Sequence, residues 1–168
     1  TMEVEAIAPN GGLVPELAGQ LYVQLLDGAG EPPPAGTSIE ARGAAMPGGR
    51  QRASTDANGI AVVPARLPAG AAAGGDGNDP TTTLWVRVEG AAPRTATVTV
   101  PVREEVEIRP TVERPVVTPG APLAVRLARR ASARKLPAVV ELLGPSGLVE
   151  ARLALPGQDR ITMRAPSG

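Results

Sequence analysis

Glycine and proline interrupt this chain 20 and 19 times in 168 residues, which leaves no room for long helices. Proline removes a backbone donor and clashes with the preceding turn, and glycine weakens helix interiors. The intervals that remain suit short strands, and they are patterned as strands. Leu21, Val23 and Leu25 alternate with Tyr22, Gln24 and Leu26. Leu84, Val86 and Val88 alternate with Trp85, Arg87 and Glu89. Ala96, Val98 and Val100 alternate with Thr95, Thr97 and Thr99, and Leu123, Val125 and Leu127 with Ala124, Arg126 and Ala128. Successive side chains on a strand point to opposite faces, so each set makes one apolar face. A hydrophobic fraction of 42% in this periodic form predicts a folded chain despite the Gly/Pro content.

Strands are expected over 2–8, 19–26, 37–43, 50–55, 59–67, 82–89 and 94–102, the number a β-sandwich uses. Asp27-Gly28-Ala29-Gly30, the proline run at 32–34 and Asp56-Ala57-Asn58-Gly59 separate them. The 68–80 segment, rich in Ala and Gly, reads as an exposed insertion. A second set of strands is expected over 105–113, 122–129, 138–143, 148–155 and 160–164. This predicts an all-β chain of two domains, a seven-stranded one over 1–102 and a smaller, possibly truncated one over 103–168. The junction Pro101-Val102-Arg103-Glu104-Glu105 is short and not Gly/Ser-rich, which predicts limited swinging between them. Leu123–Leu136 also carries a helical spacing at Leu123, Leu127 and Ala131 between Pro122 and Pro137. The flanking turns and the next apolar run favour a hairpin there.

Composition narrows function by exclusion. With 17 basic and 17 acidic residues, the chain has no net pull toward nucleic acid or an anionic surface. It has no Cys and no His. Disulfides, Cys/His zinc sites and His-based triads are therefore excluded from this chain. One Trp, one Tyr and no Phe cannot make the stacking platform that binds single-stranded nucleic acid. No apolar run reaches the roughly 20 residues of a membrane-spanning helix. The opening Thr1-Met2 shows no leader pattern and reads as the start of an excised piece.

Two stretches resemble bacterial immunoglobulin-like modules. Leu26-Asp27-Gly28-Ala29-Gly30-Glu31-Pro32-Pro33-Pro34-Ala35-Gly36-Thr37 is similar to a hairpin of invasin/intimin-type and carboxypeptidase-regulatory-like domains, with Pro33 where those usually place Val. Ser54-Thr55-Asp56-Ala57-Asn58-Gly59-Ile60-Ala61 resembles the turn and strand that follow in the same families. Its physical content is an Asp carboxylate accepting from backbone N–H groups two residues on, with Gly at positive φ. In the second half, Thr118-Pro119-Gly120-Ala121-Pro122-Leu123-Ala124-Val125 looks like the entry strand of macroglobulin-type domains. The reactive Cys-Gly-Glu-Gln thioester of the α2-macroglobulin-like proteins has no counterpart. The resemblance implies tandem immunoglobulin-like β-sandwiches.

Several residues stand out as candidate sites. Asp76, Asn78 and Asp79 offer oxygen ligands in a Gly-rich loop, the chemistry of a weak calcium site, although EF-hand spacing is absent. A solvated loop with no metal or cofactor is the expected state. Arg126, Arg129, Arg130, Arg134 and Lys135 form a basic run, able to meet an acidic partner and equally suited to a solvated edge. Tyr22 and Trp85 fall off the apolar faces by alternation. Either can anchor a sugar or a partner, but a core-end or domain-contact role is favoured. Ser132-Ala133-Arg134-Lys135 matches S-x-x-K without the companion motifs of penicillin-binding enzymes. Glu40, Asp56, Asp76 and Glu89 would serve an enzyme only if two of them shared a cleft. The expected function is a non-catalytic structural or protein-interaction module of a bacterial cell-envelope or secreted protein, at the cell surface, in the periplasm or outside. Its expected partners are another protein or neighbouring domains. The alternatives are a carbohydrate- or polymer-binding accessory module and a fragment of an α2-macroglobulin-like envelope protein.

Overall fold

The computed structural model describes residues 2–74, 79–90, 92–114 and 116–166. They fall into two compact units, Thr1–Glu105 and Val106–Gly168, and both are built from antiparallel strands.

The first unit contains β1 (Met2–Ile7), β2 (Gly19–Asp27), β3 (Ser38–Arg42), β4 (Arg50–Ser54), β5 (Ile60–Ala65), β6 (Ala73–Gly74), β7 (Pro80–Val88) and β8 (Arg94–Pro101). One sheet runs β1-β2-β5. The other runs β4-β3-β7-β8, with β6 beside the start of β7. The inner faces meet in one core. Leu21, Val23, Leu25 and Val63 come from the first sheet and Ile39, Leu84, Val86 and Val100 from the second. This is an immunoglobulin-like sandwich in which the fourth strand joins the third rather than the fifth. After β1 the chain crosses between sheets. Leu13 N–H donates to Pro101 O at 2.9 Å, and Arg103 N–H donates to Leu13 O at 2.8 Å.

The turns follow the chemistry expected of them. Asp27 Oδ1 accepts from the N–H groups of Ala29 and Glu31 at 2.8 and 3.0 Å. Asp56 Oδ1 accepts from Asn58 and Ile60 at 2.8 and 2.9 Å. Gly59 then sits at φ +74°. A Cβ there would lie 2.5 Å from Leu25 O, so the position excludes side chains twice over.

The 68–80 segment is not simply an exposed insertion. Ala71 and Ala72 pack against the core, and β6 pairs with Pro80 and Thr81. Small apolar side chains close that end of the sandwich at little entropic cost.

The second unit contains β9 (Ile108–Val112), β10 (Pro122–Arg129), β11 (Ala138–Gly144), β12 (Gly147–Ala154) and β13 (Arg160–Arg164). One sheet runs β9-β10-β13 and the other is the pair β11-β12. Leu123, Val125 and Leu127 of β10 meet Ile161 and Met163 of β13, with Val140 and Leu142 of β11 against them. Residues 123–129 are strand, not helix. A helix would spread their period-two apolar set around about 200° of its surface. The hairpin expected from β10 into the next strand is not formed. β10 pairs with β9 and β13, and the 130–137 connection, with a 3-10 turn at Ala131–Ala133, carries the chain to the other sheet.

Candidate binding face

On β3, Ile39 and Ala41 point into the core, so Glu40 and Arg42 point out. On β7, Trp85 and Arg87 point out for the same reason. Register then sets neighbours across the sheet. Glu40 lies between Arg52 of β4 and Arg87 of β7, and Arg87 opposes Thr95 of β8. In the adjoining row Arg42 lies between Arg50 and Trp85, and Trp85 opposes Thr97.

Glu40 is the organising charge of this face. It is only 3% exposed, because neighbouring guanidinium groups cover it. Arg42 Nε donates to Glu40 Oε1 at 2.5 Å, and Arg52 Nε donates to Oε2 at 3.2 Å. Arg52 also lies 3.7 Å from Glu89 Oε1. The hydrogen bond from Arg42, then that from Arg52, holds the Glu40 carboxyl below its ordinary range despite the opposing effect of desolvation. A carboxylate so held stays ionised near neutral pH and is a poor proton donor. It fixes the two arginines in place.

Beside this cluster lies a surface depression of about 420 Å³, lined by Glu40, Arg42, Trp85, Arg87 and Thr95. Trp85 is 49% exposed, off the apolar face of its strand as alternation places it. Its position between the inward residues Leu84 and Val86 forces it outward. The face therefore offers an apolar indole plate, guanidinium donors and threonine hydroxyls on a rigid sheet. That combination suits a partner's apolar side chain flanked by carboxylates, or the flat face of a sugar.

The other sequence candidates are scattered. Tyr22 is exposed on the outer face of β2, in register with exposed Ile7 and Val62. It belongs to the opposite sheet from Trp85, so the two rings do not share a site. Asp79 is exposed, and Asp76 and Asn78 lie outside the described residues. The basic run does not act as one patch. Arg126 points out of β10 and, with Arg160, donates to Glu113 at 2.8 and 2.9 Å. These bonds, led by that from Arg160, lower the Glu113 carboxyl from 4.5 to about 2. Arg129, three residues on, falls on the core side. Its side chain is only 3% exposed, with Nη1 donating to Leu136 O at 2.7 Å and Nε 3.4 Å from Asp159 Oδ1. Arg130 N–H donates to Glu107 O. Arg134 and Lys135 are exposed beyond the 3-10 turn, as is Ser132 within it.

Sequence reading passed over Arg42, Arg52 and Arg87, because their grouping around Glu40 depends on strand register. Arg129 carried a usable signal, since it continues the odd-numbered apolar series of β10. Of the remaining acids weighed for catalysis, Asp56 is engaged in its turn and Glu89 lies beside Arg52.

No family model and no curated protein matches the chain. Among solved structures, it is similar to the D0-D1 domain of intimin, with a TM-score of 0.39 and 10% identity over 99% of this chain and 86% of that one. It is also similar to E. coli alpha-2-macroglobulin in its native conformation, with a TM-score of 0.38 and 11% identity over 98% of this chain and 12% of that one. What the strand order and the two cores define is an all-β chain of immunoglobulin-like sandwich units.

Proposed function

We propose that this chain is a non-catalytic structural and protein-interaction module of a bacterial cell-envelope or secreted protein, with its two units folding as separate domains. The observation that carries the reading is the Trp85 face. An exposed indole framed by fixed arginines, on a sheet rather than a loop, is a pre-organised contact surface. Glu40 beside it and Glu113 in the second unit are both lowered by hydrogen bonds from arginine, which supports a binding rather than a proton-transfer role.

The same indole supports a second reading, a carbohydrate- or polymer-binding accessory module, because a sugar ring stacks on such a plate. A photo-crosslinker at Thr97, in the parent protein in its own cells, separates the two. Protein adducts that disappear with Trp85→Ala and Arg87→Glu support the first reading. Glycan adducts with the same dependence move the assignment to the second. No adduct of either kind removes this face as a contact surface.

A further inference from the structure

The first unit has a second outer face, on the sheet opposite Trp85. Alternation sends Glu3, Glu5 and Ile7 of β1 outward, with Tyr22 of β2 and Val62 of β5. Register sets Tyr22 between Ile7 and Val62. Tyr22, Ile7 and Val62 are 38%, 47% and 44% exposed, so three large side chains stand side by side in water. An exposed apolar patch with a polar rim marks an interaction site. The rim here is acidic. Glu5 and Glu3 follow Ile7 along β1, both are exposed, and neither has an ion-pair partner among the described residues. No basic residue occurs in β1, β2 or β5.

This composition is the inverse of the Trp85 face. There Arg42, Arg50, Arg52 and Arg87 outnumber Glu40 and Glu89 by two, and Arg50 and Arg87 are the arginines with no carboxylate partner among the described residues. Two uncompensated positive charges on one face match two negative ones on the other. The spacing matches as well. Arg87 stands two residues from Trp85 on β7, and Glu5 two residues from Ile7 on β1. Two strand residues span about 6.7 Å, so an indole seated on the Ile7–Tyr22–Val62 row brings Arg87 within side-chain reach of Glu5. Neither face can meet its own kind without setting like charges together, which is costly at an interface.

We infer that the first units of separate copies of this chain stack head to tail, the Trp85 face of one on the Tyr22 face of the next. The pairing rests on the reading of the Trp85 face as a protein contact and gives that face its partner. A contact between two different faces leaves one of each free at the ends, so assembly is open-ended rather than limited to a pair. Each face is about six residues long and at least three strands wide, or about 20 by 14 Å. So small a footprint makes a weak contact, formed at near-millimolar concentration.

Sedimentation of the intact chain at up to about 2 mM tests the pairing, with emission from the chain's one Trp as reporter. Mean mass is expected to rise with concentration past that of a dimer, while the emission moves to shorter wavelength as the indole leaves water. Trp85→Ala disables one face, and Glu3→Arg combined with Glu5→Arg disables the other. Each variant should associate at least about tenfold more weakly. All of these positions are exposed, so both variants retain the fold. An equimolar mixture of the two variants keeps one good contact per pair and should stop at a heterodimer, with shifted emission from the Trp85 of the arginine variant. The inference is overturned by a chain that stays monomeric with unshifted emission at the highest concentration, by growth that ends at a dimer, or by a mixture that stays monomeric. Thr97 crosslinks to a different protein, alongside any of those results, leave the Trp85 face a contact surface and remove only the second copy as its partner.

Discussion

Among the described residues the two units share five strands of identical wiring, β9-β10-β13 and β11-β12 matching β1-β2-β5 and β3-β4, and differ in how many further strands lie over them. In the first, Leu21, Val23 and Leu25 of the central strand are all 0% exposed, because a four-strand sheet covers them. In the second, the corresponding Leu123, Val125 and Leu127 keep 8%, 4% and 4% under a two-strand sheet. The same Leu-x-Val-x-Leu pattern therefore does different amounts of work. Hydrophobic stabilisation scales with the area removed from water, and a covering sheet of two strands removes less. The difference extends to the outer faces. The first unit surrounds Glu40 with arginine, whereas the second leaves leucine and valine exposed at the matching strands.

The most severe test of this comparison is paired truncation. Leu25→Ala is expected to cost about 4 kcal/mol and Leu127→Ala about 2, the two ends of the range for buried leucines. Denaturant unfolding followed by amide exchange assigns each loss to its own unit. Equal costs would mean that the second core is as well closed as the first. Next come two glycines with the same φ of +74° and different surroundings, Gly59 against Leu25 O and Gly120 with nothing within 4 Å. Gly120→Ala should cost about 1 kcal/mol from backbone conformation alone, and Gly59→Ala clearly more because backbone must also move. Thermal unfolding of the two variants ranks them.

A smaller effect lies in the acid limb of stability. Glu113 and Glu40 are both held below their ordinary value of 4.5 by paired arginines. A depressed carboxylate contributes stability that is complete above its unfolded pKa and is lost as pH falls through the folded one. For Glu113 that window runs from 4.5 down to about 2. Glu113→Gln should flatten the pH dependence of the second unit across it, and Glu40→Gln that of the first at pH below 4.5. Stability against pH, read separately for each unit by exchange, shows whether each pair acts locally. The smallest change is expected from Trp85→Ala. Half of that ring is in water, so stability should move by less than about 1 kcal/mol, while its own fluorescence, from the chain's one Trp, disappears.

Strand positions were largely legible because burial on one face demands period two, and Gly/Pro punctuation marks where each run stops. Residues 122–129 and 160–164 match their strands end to end. The turn at Asp56 was legible for the same local reason, since its hydrogen bonds span only four residues. The candidate face was legible in one residue. Trp85 follows from alternation, but Arg42, Arg52 and Arg87 join it only through pairings between strands distant in sequence. The basic run at 126–135 misled in the opposite way, because adjacency in sequence placed Arg126 and Arg129 on opposite faces.

By itself, then, the sequence determined the class of secondary structure, the inward residues of each strand and the turns that end them. Each of these depends on forces acting over a few residues. Only the tertiary structure decided which strands are neighbours, and so which charges meet. Glu40 acquires two arginines and a near-complete burial from that pairing. Register and sheet closure are set by the burial of whole faces against one another, a property that no single segment contains.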